Sequence, residues 1–472
     1  MTQIQDIDSE YIENRTFDEI AIGDSASLVR TLRQEDIQMY AIMSGDINPS
    51  HVDAEYAHSS MLREVIAHGM WGGAIISTVL GNQFPGPGTV YVDQTLHFAL
   101  PVRVGDTLTV TITCKEKFPR NHHMVLDCVC VNQDGEKVIS GTAEVLAPTE
   151  KIKRLKANLP DFKLSENRKT RFEHLLAITK GLTPISMAVA HPCDTESLKG
   201  ALQARDCGLI IPTLIGPEDK IRQLAEAHQL DLYGCTLINV AHSHAAAEVA
   251  VALARERQVE ALMKGSLHTD ELMSEVIDKA TGLRTARRVS HVFLMDVPTY
   301  PRLLFITDAA VNVAPTLEDK VDIVQNAIDL AHMLKIPDPK VAILAAVETV
   351  NVKMQATLDA AALCKMADRG QITGGVLDGP LAFDNAISVV AARTKGIKSA
   401  VAGQADILLV PDIESGNMLA KQLEYLADAL TSGIVLGAKV PIVLTSRADT
   451  AETRTASTAV AMVMAHAKRR KV

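Results

Sequence analysis

Asp46 and His51 stand five residues apart in the stretch YAIMSGDINPSHVD, residues 40–53, on either side of the turn Asn48-Pro49. Ser44-Gly45 is also turn chemistry, so the pair belongs to a loop between two helical segments, expected to be buried. A carboxylate and an imidazole within reach of one small molecule suffice for acid/base chemistry on a water. The plainer alternative is that the aspartate caps the following helix and the histidine satisfies a backbone carbonyl.

A second set of polar positions follows short apolar runs in the C-terminal two thirds of the chain. These are KGSLHTDE (264–271), LDGPLAFDNA (377–386), PDIESGNM (411–418) and TSRADT (445–450). Ser415-Gly416-Asn417 opens a helix directly after an apolar run, which leaves backbone N–H groups for an anion. Ser446-Arg447 sets a hydroxyl beside a guanidinium, the group best shaped for bidentate contact with phosphate. Taken singly, the first is a helix cap and the second a loop. No Walker A loop and no GxGxxG follows any run, so nucleotide hydrolysis and nicotinamide chemistry lack their usual marks.

The elements that must position these groups fall into two patterns. Up to about residue 148, residues 54–65 read as a short helix and residues 70–80 as a helix that is apolar almost all round and therefore buried. Alternating strands follow (TVYVDQTLHFAL, DTLTVTITCKEKF, HHMVLDCVCVNQDGEKVISG, TAEVLAP), joined by VGD and QDGE turns. Residues 148–170 turn polar and charged, which predicts a linker. Beyond them, apolar runs of four to eight residues alternate with helical segments at 220–229, 317–334, 417–430 and 453–467, the pattern of βαβ units around a parallel sheet. Ligands of such sheets sit at the carboxyl ends of the strands.

Three consecutive blocks, residues 40–51, IAHGMWGGAIISTVLG (66–81) and GPGTVYVDQTLHFALPVRVGDTLTV (86–110), resemble MaoC-like (R)-specific enoyl-CoA hydratases. The resemblance implies an α+β hot-dog fold at 1–150, with Asp46 and His51 as the catalytic pair that activates water. It also implies Asn48, Gly69 and Ser77 at the substrate, Gly69 through its N–H to the thioester oxygen and Ser77 beside the acyl chain. Over about 300 residues, KGSLHTDEL, DGPLAFDNAIS, ADILLVPDIESGNMLAKQLEYLADA and VPIVLTSRADT resemble, in order, the phosphate acetyl/butyryltransferase family. That implies a C-terminal α/β fold with mostly parallel sheets in two subdomains around a cleft, at 165–290 plus 437–472 and at 291–436, after a linker at 151–164. It implies Ser446 near the CoA thiol, Arg447 on phosphate, and Lys264, Gly416 and Asn417 at the substrate. The chain departs from the acetyl-specific pattern at Leu272-Met273, where an arginine is usual, and at Thr453, where an aspartate is; Asp449 and Glu452 are the substitutes for the thiol base.

The expected protein is thus a bifunctional acyl-CoA enzyme, with CoA thioesters and phosphate as substrates and no tightly bound cofactor or metal. The resemblances imply a homo-oligomer larger than a dimer. An alternative is a hydratase whose C-terminal half is a silent acyl-CoA-binding or oligomerisation module; a dehydrogenase lacks its dinucleotide fingerprint. A net charge of −10 speaks against nucleic acid as the main partner. No apolar run is long enough for a membrane span, and the acidic, polar N-terminus does not read as a signal peptide. The seven cysteines are scattered without a CxxC, as buried thiols of a cytoplasmic protein would be.

Overall fold

Along Thr107–Phe118 the buried residues are Leu108, Val110, Ile112 and Cys114, every second position, as a strand with one face on a core requires. His123–Val131 repeats the pattern with Met124, Leu126, Cys128 and Cys130. A computed structural model describes residues 10–158, 172–174, 176–446 and 448–470, which divide into two compact units, Met1–Leu164 and Ser165–Val472.

In the first unit the strands form an antiparallel sheet in the order Ser25–Thr31, Thr107–Phe118, His123–Val131, Lys137–Leu146 and Val90–Gln94, with His97–Phe98 also paired to Lys137–Leu146. The helix Gly69–Asn82 packs Trp71, Ile75, Ile76, Val79 and Leu80 into the core against this sheet. Burying each of the four aliphatic side chains, Ile75, Ile76, Val79 and Leu80, is worth about 1.5–3 kcal/mol, so packing holds a helix that contains four glycines of poor intrinsic propensity. The helix is not buried all round, contrary to its composition: Gly69, Met70, Ala74, Ser77, Thr78 and Gly81 lie exposed on its other face. Small residues read as apolar in sequence whether or not anything covers them.

The segment expected to be a linker from residue 151 is in part structure. Lys153–Leu155 pairs antiparallel with Tyr11–Glu13, and the Asn14 side chain donates to the Glu150 carbonyl while accepting from the Ile152 N–H. The remainder of the expected linker, from residue 159, lies outside the described residues.

The second unit holds one sheet of eleven strands. Five parallel strands at one end run Thr236–Asn239, Ile210–Gly216, Ile185–Ala190, Ala261–Lys264 and Ile442–Val443, and four at the other run Leu304–Thr307, Ile407–Leu409, Lys340–Leu344 and Val376–Leu381. Between them Leu430–Leu436 and Ser290–Asp296 pair antiparallel with each other and with both flanks. The two expected subdomains therefore share one sheet. Ser290–Asp296 escaped the sequence reading because His291 and Asp296 interrupt its apolar run, although His291 is fully buried. The register aligns Val443, Ile434, Val292 and Thr307 in a row, so the loops after residues 443 and 307, far apart in sequence, start at the same level of the sheet with two strands between them.

The pairing of Tyr11–Glu13 with Lys153–Leu155 bears on separability. A fragment of residues 1–158 is expected to fold and hydrate crotonyl-CoA by itself, and one ending at 150 to be less stable because it loses that pairing. Thermal unfolding and hydration assays of both fragments check this; equal stability would show that the terminal strand pair adds nothing.

Candidate active sites

In the first unit the helix Gln34–Ser44 stops at Gly45, left-handed at φ 74°, and the chain then climbs through Asp46 to the short helix Pro49–Val52. The loop is exposed from Ile42 to Pro49, not buried as expected. Asp46 caps neither following helix: Asn48 accepts from the Ser50 N–H and Asp53 from the Tyr56 N–H. Asn48 is thus occupied as a cap, and its own N–H donates to Asp46 Oδ1 at 3.2 Å, which orients the carboxylate. His51 is half-buried, with Nδ1 2.9 Å from the Ile66 carbonyl. A carbonyl only accepts, so Nδ1 carries a proton, and in the neutral ring Nε2 is the lone-pair nitrogen.

A third residue joins them. His68, 2 % exposed, precedes the Gly69–Asn82 helix; its Nε2 lies 2.9 Å from the Asp46 carbonyl, and its ring is 4.0 Å from that of His51. One side-chain donor atom from each of Asp46, His51 and His68 lies within 4.8 Å of the other two. No side chain caps the helix that starts at Gly69, so its first N–H groups are available to an oxyanion beside the cluster. Ser77 lies two turns further along, on the exposed face. His68 stands inside the block 66–81, where nothing in the sequence marks it as a partner of Asp46 and His51.

In the second unit a cavity of about 770 Å3 is lined by Thr269, Glu414, Asn417, Lys421, Thr445 and Ser446 and floored by Phe293 and Leu444. Glu414, Asn417 and Lys421 share one face of the helix Ile413–Leu426 at spacings of three and four. Burial pulls the Lys421 ammonium down, but its hydrogen bond to Glu424 and the fields of Asp449 and Glu424 outweigh this and leave its pKa raised. It stays cationic at the cavity wall. The spacing from Asn417 was the signal that could have found it.

Two expected residues are used otherwise. The helix begins at Ile413, not at Ser415, and its cap Asp412 takes the Ser415 N–H on its carboxylate and the Gly416 N–H on its carbonyl, so neither amide is left for an anion. Gly416 is buried where a Cβ would lie 3.0 Å from both Ala309 Cβ and the Asp308 carbonyl, which makes it a packing residue. Lys264 is 2 % exposed, with Nζ donating to the Leu267 carbonyl at 3.1 Å, so it ties the loop from inside instead of lining the cavity.

Ser446 is exposed at the cavity, and Arg447 lies outside the described residues. What shapes their loop was missed in sequence. Arg454, fully buried, donates through Nη1 to Thr445 Oγ1 at 2.7 Å and the Lys264 carbonyl at 3.0 Å, and through Nη2 to the Ser446 carbonyl at 3.0 Å. Burial lowers its pKa. Asp449, 3 % exposed, accepts the Ser446 N–H at 2.7 Å and lies 3.6 Å from Lys421. Across the cavity Asp308 accepts from the N–H groups of His291, Ala310 and Val311, and the Asn417 side chain donates to the Ala309 carbonyl at 3.3 Å. Two loops from distant sequence are thereby fixed around one space.

Residues 244–462 match the Phosphate acetyl/butaryl transferase family. The phosphate acetyltransferase of Rhizobium meliloti is 61 % identical over 300 residues, 64 % of this chain and 95 % of that protein. The chain belongs to the phosphate acetyl/butyryltransferase family. This member carries a MaoC-like domain as well, matched over residues 21–128. The family match extends to the phosphate butyryltransferase of Clostridium acetobutylicum, 42 % identical over 62 % of this chain and 98 % of that one. In structure, a branched-chain phosphotransacylase from Enterococcus faecalis superposes with a TM-score of 0.53 at 30 % identity, covering 60 % of this chain and 99 % of that one. In this transferase the cavity with Asn417 and Ser446 and the Asp46–His51–His68 cluster occupy separate units.

Proposed function

We propose that the protein is a bifunctional acyl-CoA enzyme, with (3R)-specific hydration of trans-2-enoyl-CoA in the first unit and acyl transfer between CoA and phosphate in the second. The observation that carries the reading is that each unit has its own polar site, one in a MaoC-like domain and one in a domain 61 % identical to a phosphate acetyltransferase.

In hydration, the lone pair of His51 Nε2 and the Asp46 carboxylate hold one water. One of them takes its proton as the oxygen attacks the β-carbon, and the pair returns a proton to the α-carbon, so that the water is added whole across the double bond. Negative charge on the thioester oxygen meets the uncapped helix start at Gly69, and Asn48 keeps the Asp46 carboxylate turned to the water. Ser77, on the same helix, borders the acyl chain.

In transfer, an oxygen of hydrogen phosphate attacks the thioester carbonyl, the C–S bond breaks, and the proton lost by the phosphate passes to the departing sulfur, so that CoA leaves as the thiol. Arg447 and the Lys421 ammonium neutralise the phosphate, Asn417 orients it, and Ser446 meets the departing sulfur. Asp449, whose carboxylate accepts the Ser446 N–H, positions that loop, and we assign it the thiol proton in the reverse direction.

Incubation of the full chain with crotonyl-CoA, and separately with acetyl-CoA or butyryl-CoA and phosphate, tests both halves by thioester loss and acyl-phosphate formation. Absence of any acyl phosphate would hand the second unit to the silent-module alternative. Arg447→Gln is expected to raise the KM for phosphate or CoA and lower turnover about tenfold or more, with hydration unchanged. An unaltered transfer rate would remove Arg447 from the site.

We place the protein in the cytoplasm. Its cysteines are all free thiols, and no helix among the described residues is long and apolar enough to cross a membrane. For assembly, the first unit offers a surface for a two-fold contact, the exposed helix face with Met70, Ala74 and Ser77 and the edge strand with Val90 and Val92, and we assign a second two-fold contact to the transferase unit from its family resemblance. Two independent two-fold contacts give an even-numbered closed assembly beyond a dimer. Light scattering is expected to report a tetramer or hexamer; a monodisperse dimer, about twice the 50.9 kDa chain mass, refutes it.

A further inference from the structure

The Asp46, His51 and His68 cluster has the chemistry of a metal site as well as that of an acid/base pair. Each histidine gives one ring N–H to a main-chain carbonyl, His51 Nδ1 to Ile66 and His68 Nε2 to Asp46, both at 2.9 Å. In the neutral rings that contact fixes the tautomer and leaves His51 Nε2 and His68 Nδ1 as the lone-pair nitrogens. It is also the arrangement that orients metal-bound imidazoles, whose second N–H is handed to a carbonyl or carboxylate. His68 Nδ1 is fully buried with no hydrogen-bond partner, although His68 is only 2 % exposed. A buried acceptor left so costs about 1–3 kcal/mol. The Asp46 carboxylate adds an anionic oxygen, and one carboxylate oxygen and one ring nitrogen of each histidine lie within 4.8 Å of one another.

We propose that Asp46, His51 and His68 bind a first-row divalent transition ion, with zinc the best fit, and that the bound ion excludes the enoyl thioester. The first half of this statement stands on the donor set alone; the second rests on the hydratase reading. Two neutral imidazoles and a carboxylate suit zinc, cobalt or nickel, whereas magnesium and calcium take oxygen ligands. Tetrahedral zinc places its ligands about 3.3 Å apart, and the exposed Asp46 side chain supplies the movement that closes the set. Three protein ligands leave a fourth position for water. Coordination occupies the lone pairs of His51 and the carboxylate of Asp46 that hydration needs, so the ion acts as a reversible stop on the first unit while the transferase, in the other unit, runs on.

The test uses the full chain and cobalt(II) as a spectroscopic stand-in for zinc. One ion per chain is expected, with visible d–d bands of nitrogen and oxygen ligation and no thiolate charge-transfer band from the cysteines. Zinc is expected to displace cobalt; magnesium is not. His68→Gln keeps an N–H for the Asp46 carbonyl but removes the ring nitrogen, and Asp46→Asn keeps the acceptor for the Asn48 N–H but removes the charge. Each is expected to weaken zinc binding at least about tenfold, measured by competition with a chromophoric chelator. In the wild type, zinc is expected to abolish hydration and a chelator to restore it, with acyl-phosphate formation unchanged. A thiolate band as the only signal, or unchanged affinity in both variants, overturns the site. Zinc binding that both variants weaken, in a protein that never hydrates an enoyl-CoA, keeps the site and removes the hydratase reading; hydration with no cobalt or zinc bound does the reverse.

Discussion

Asp46→Ala and His51→Ala are each expected to lower the rate of crotonyl-CoA hydration by about 10²–10⁴, the usual contribution of a positioned acid or base. The geometry makes the loss specific. Asp46 sits on an exposed loop and accepts one N–H, from Asn48, so its removal costs about 0.5–1.5 kcal/mol of stability at most. His51 loses one bond to the Ile66 carbonyl. Acyl-phosphate formation in the same preparations serves as an internal control and is expected to be unchanged. Near wild-type hydration in either variant would dismiss the pair, and a (3S) product from the wild type would dismiss the stereochemical reading.

The second large effect is expected at Arg454, which touches no substrate. Arg454→Met retains much of the volume but strips donors from the Lys264 and Ser446 carbonyls and the Thr445 hydroxyl inside a closed loop. Each buried acceptor left unpaired costs about 1–3 kcal/mol, so unfolding of the second unit should move down by about 3–5 kcal/mol. The Ser446 loop then loses its inner support, and acyl transfer is expected to fall about 10²-fold or more, through turnover more than through KM. Gly200→Ala approaches the same place from outside, because a Cβ there would meet Arg454 Cδ at 2.7 Å. It is expected to lower transfer with all three hydrogen-bond donors still present. Denaturant unfolding and initial rates check both; a stable, fully active Arg454→Met would show that the loop holds itself.

Local chemistry was legible in the sequence where neighbours in the chain are neighbours in space. The Asp46 to His51 loop, the alternation along residues 107–118, and the runs that became parallel strands could all be read within a dozen residues. The rest depended on distant partners. The family resemblance implies Lys264 at the substrate, yet its ammonium turns inward onto the Leu267 carbonyl. Gly416 was given a free amide because nothing in a five-residue window shows that the helix starts earlier, under the Asp412 cap. Arg454 lies in the first turn of the following helix, and only the packing of that helix against the sheet reveals that its guanidinium returns to the Ser446 loop. His68 joins its cluster across 22 residues, through a carbonyl that no residue type could announce.

The placement of Leu430–Leu436 and Ile442–Val443 in the middle of the eleven-stranded sheet governs how the chain is made. As the polypeptide leaves the ribosome, the first unit has every strand it needs by Leu155 and can close on its own. The second cannot. Ala261–Lys264 and Ser290–Asp296 must wait, with bare edges, for partners synthesised more than a hundred residues later. Such non-local pairing slows folding and exposes strand edges to other chains. A nascent chain stalled anywhere between about residues 300 and 430 would therefore combine a finished hydratase domain with an open half-sheet, and the finished domain ahead of it would keep that aggregation-prone intermediate tethered to a well-folded, charged body.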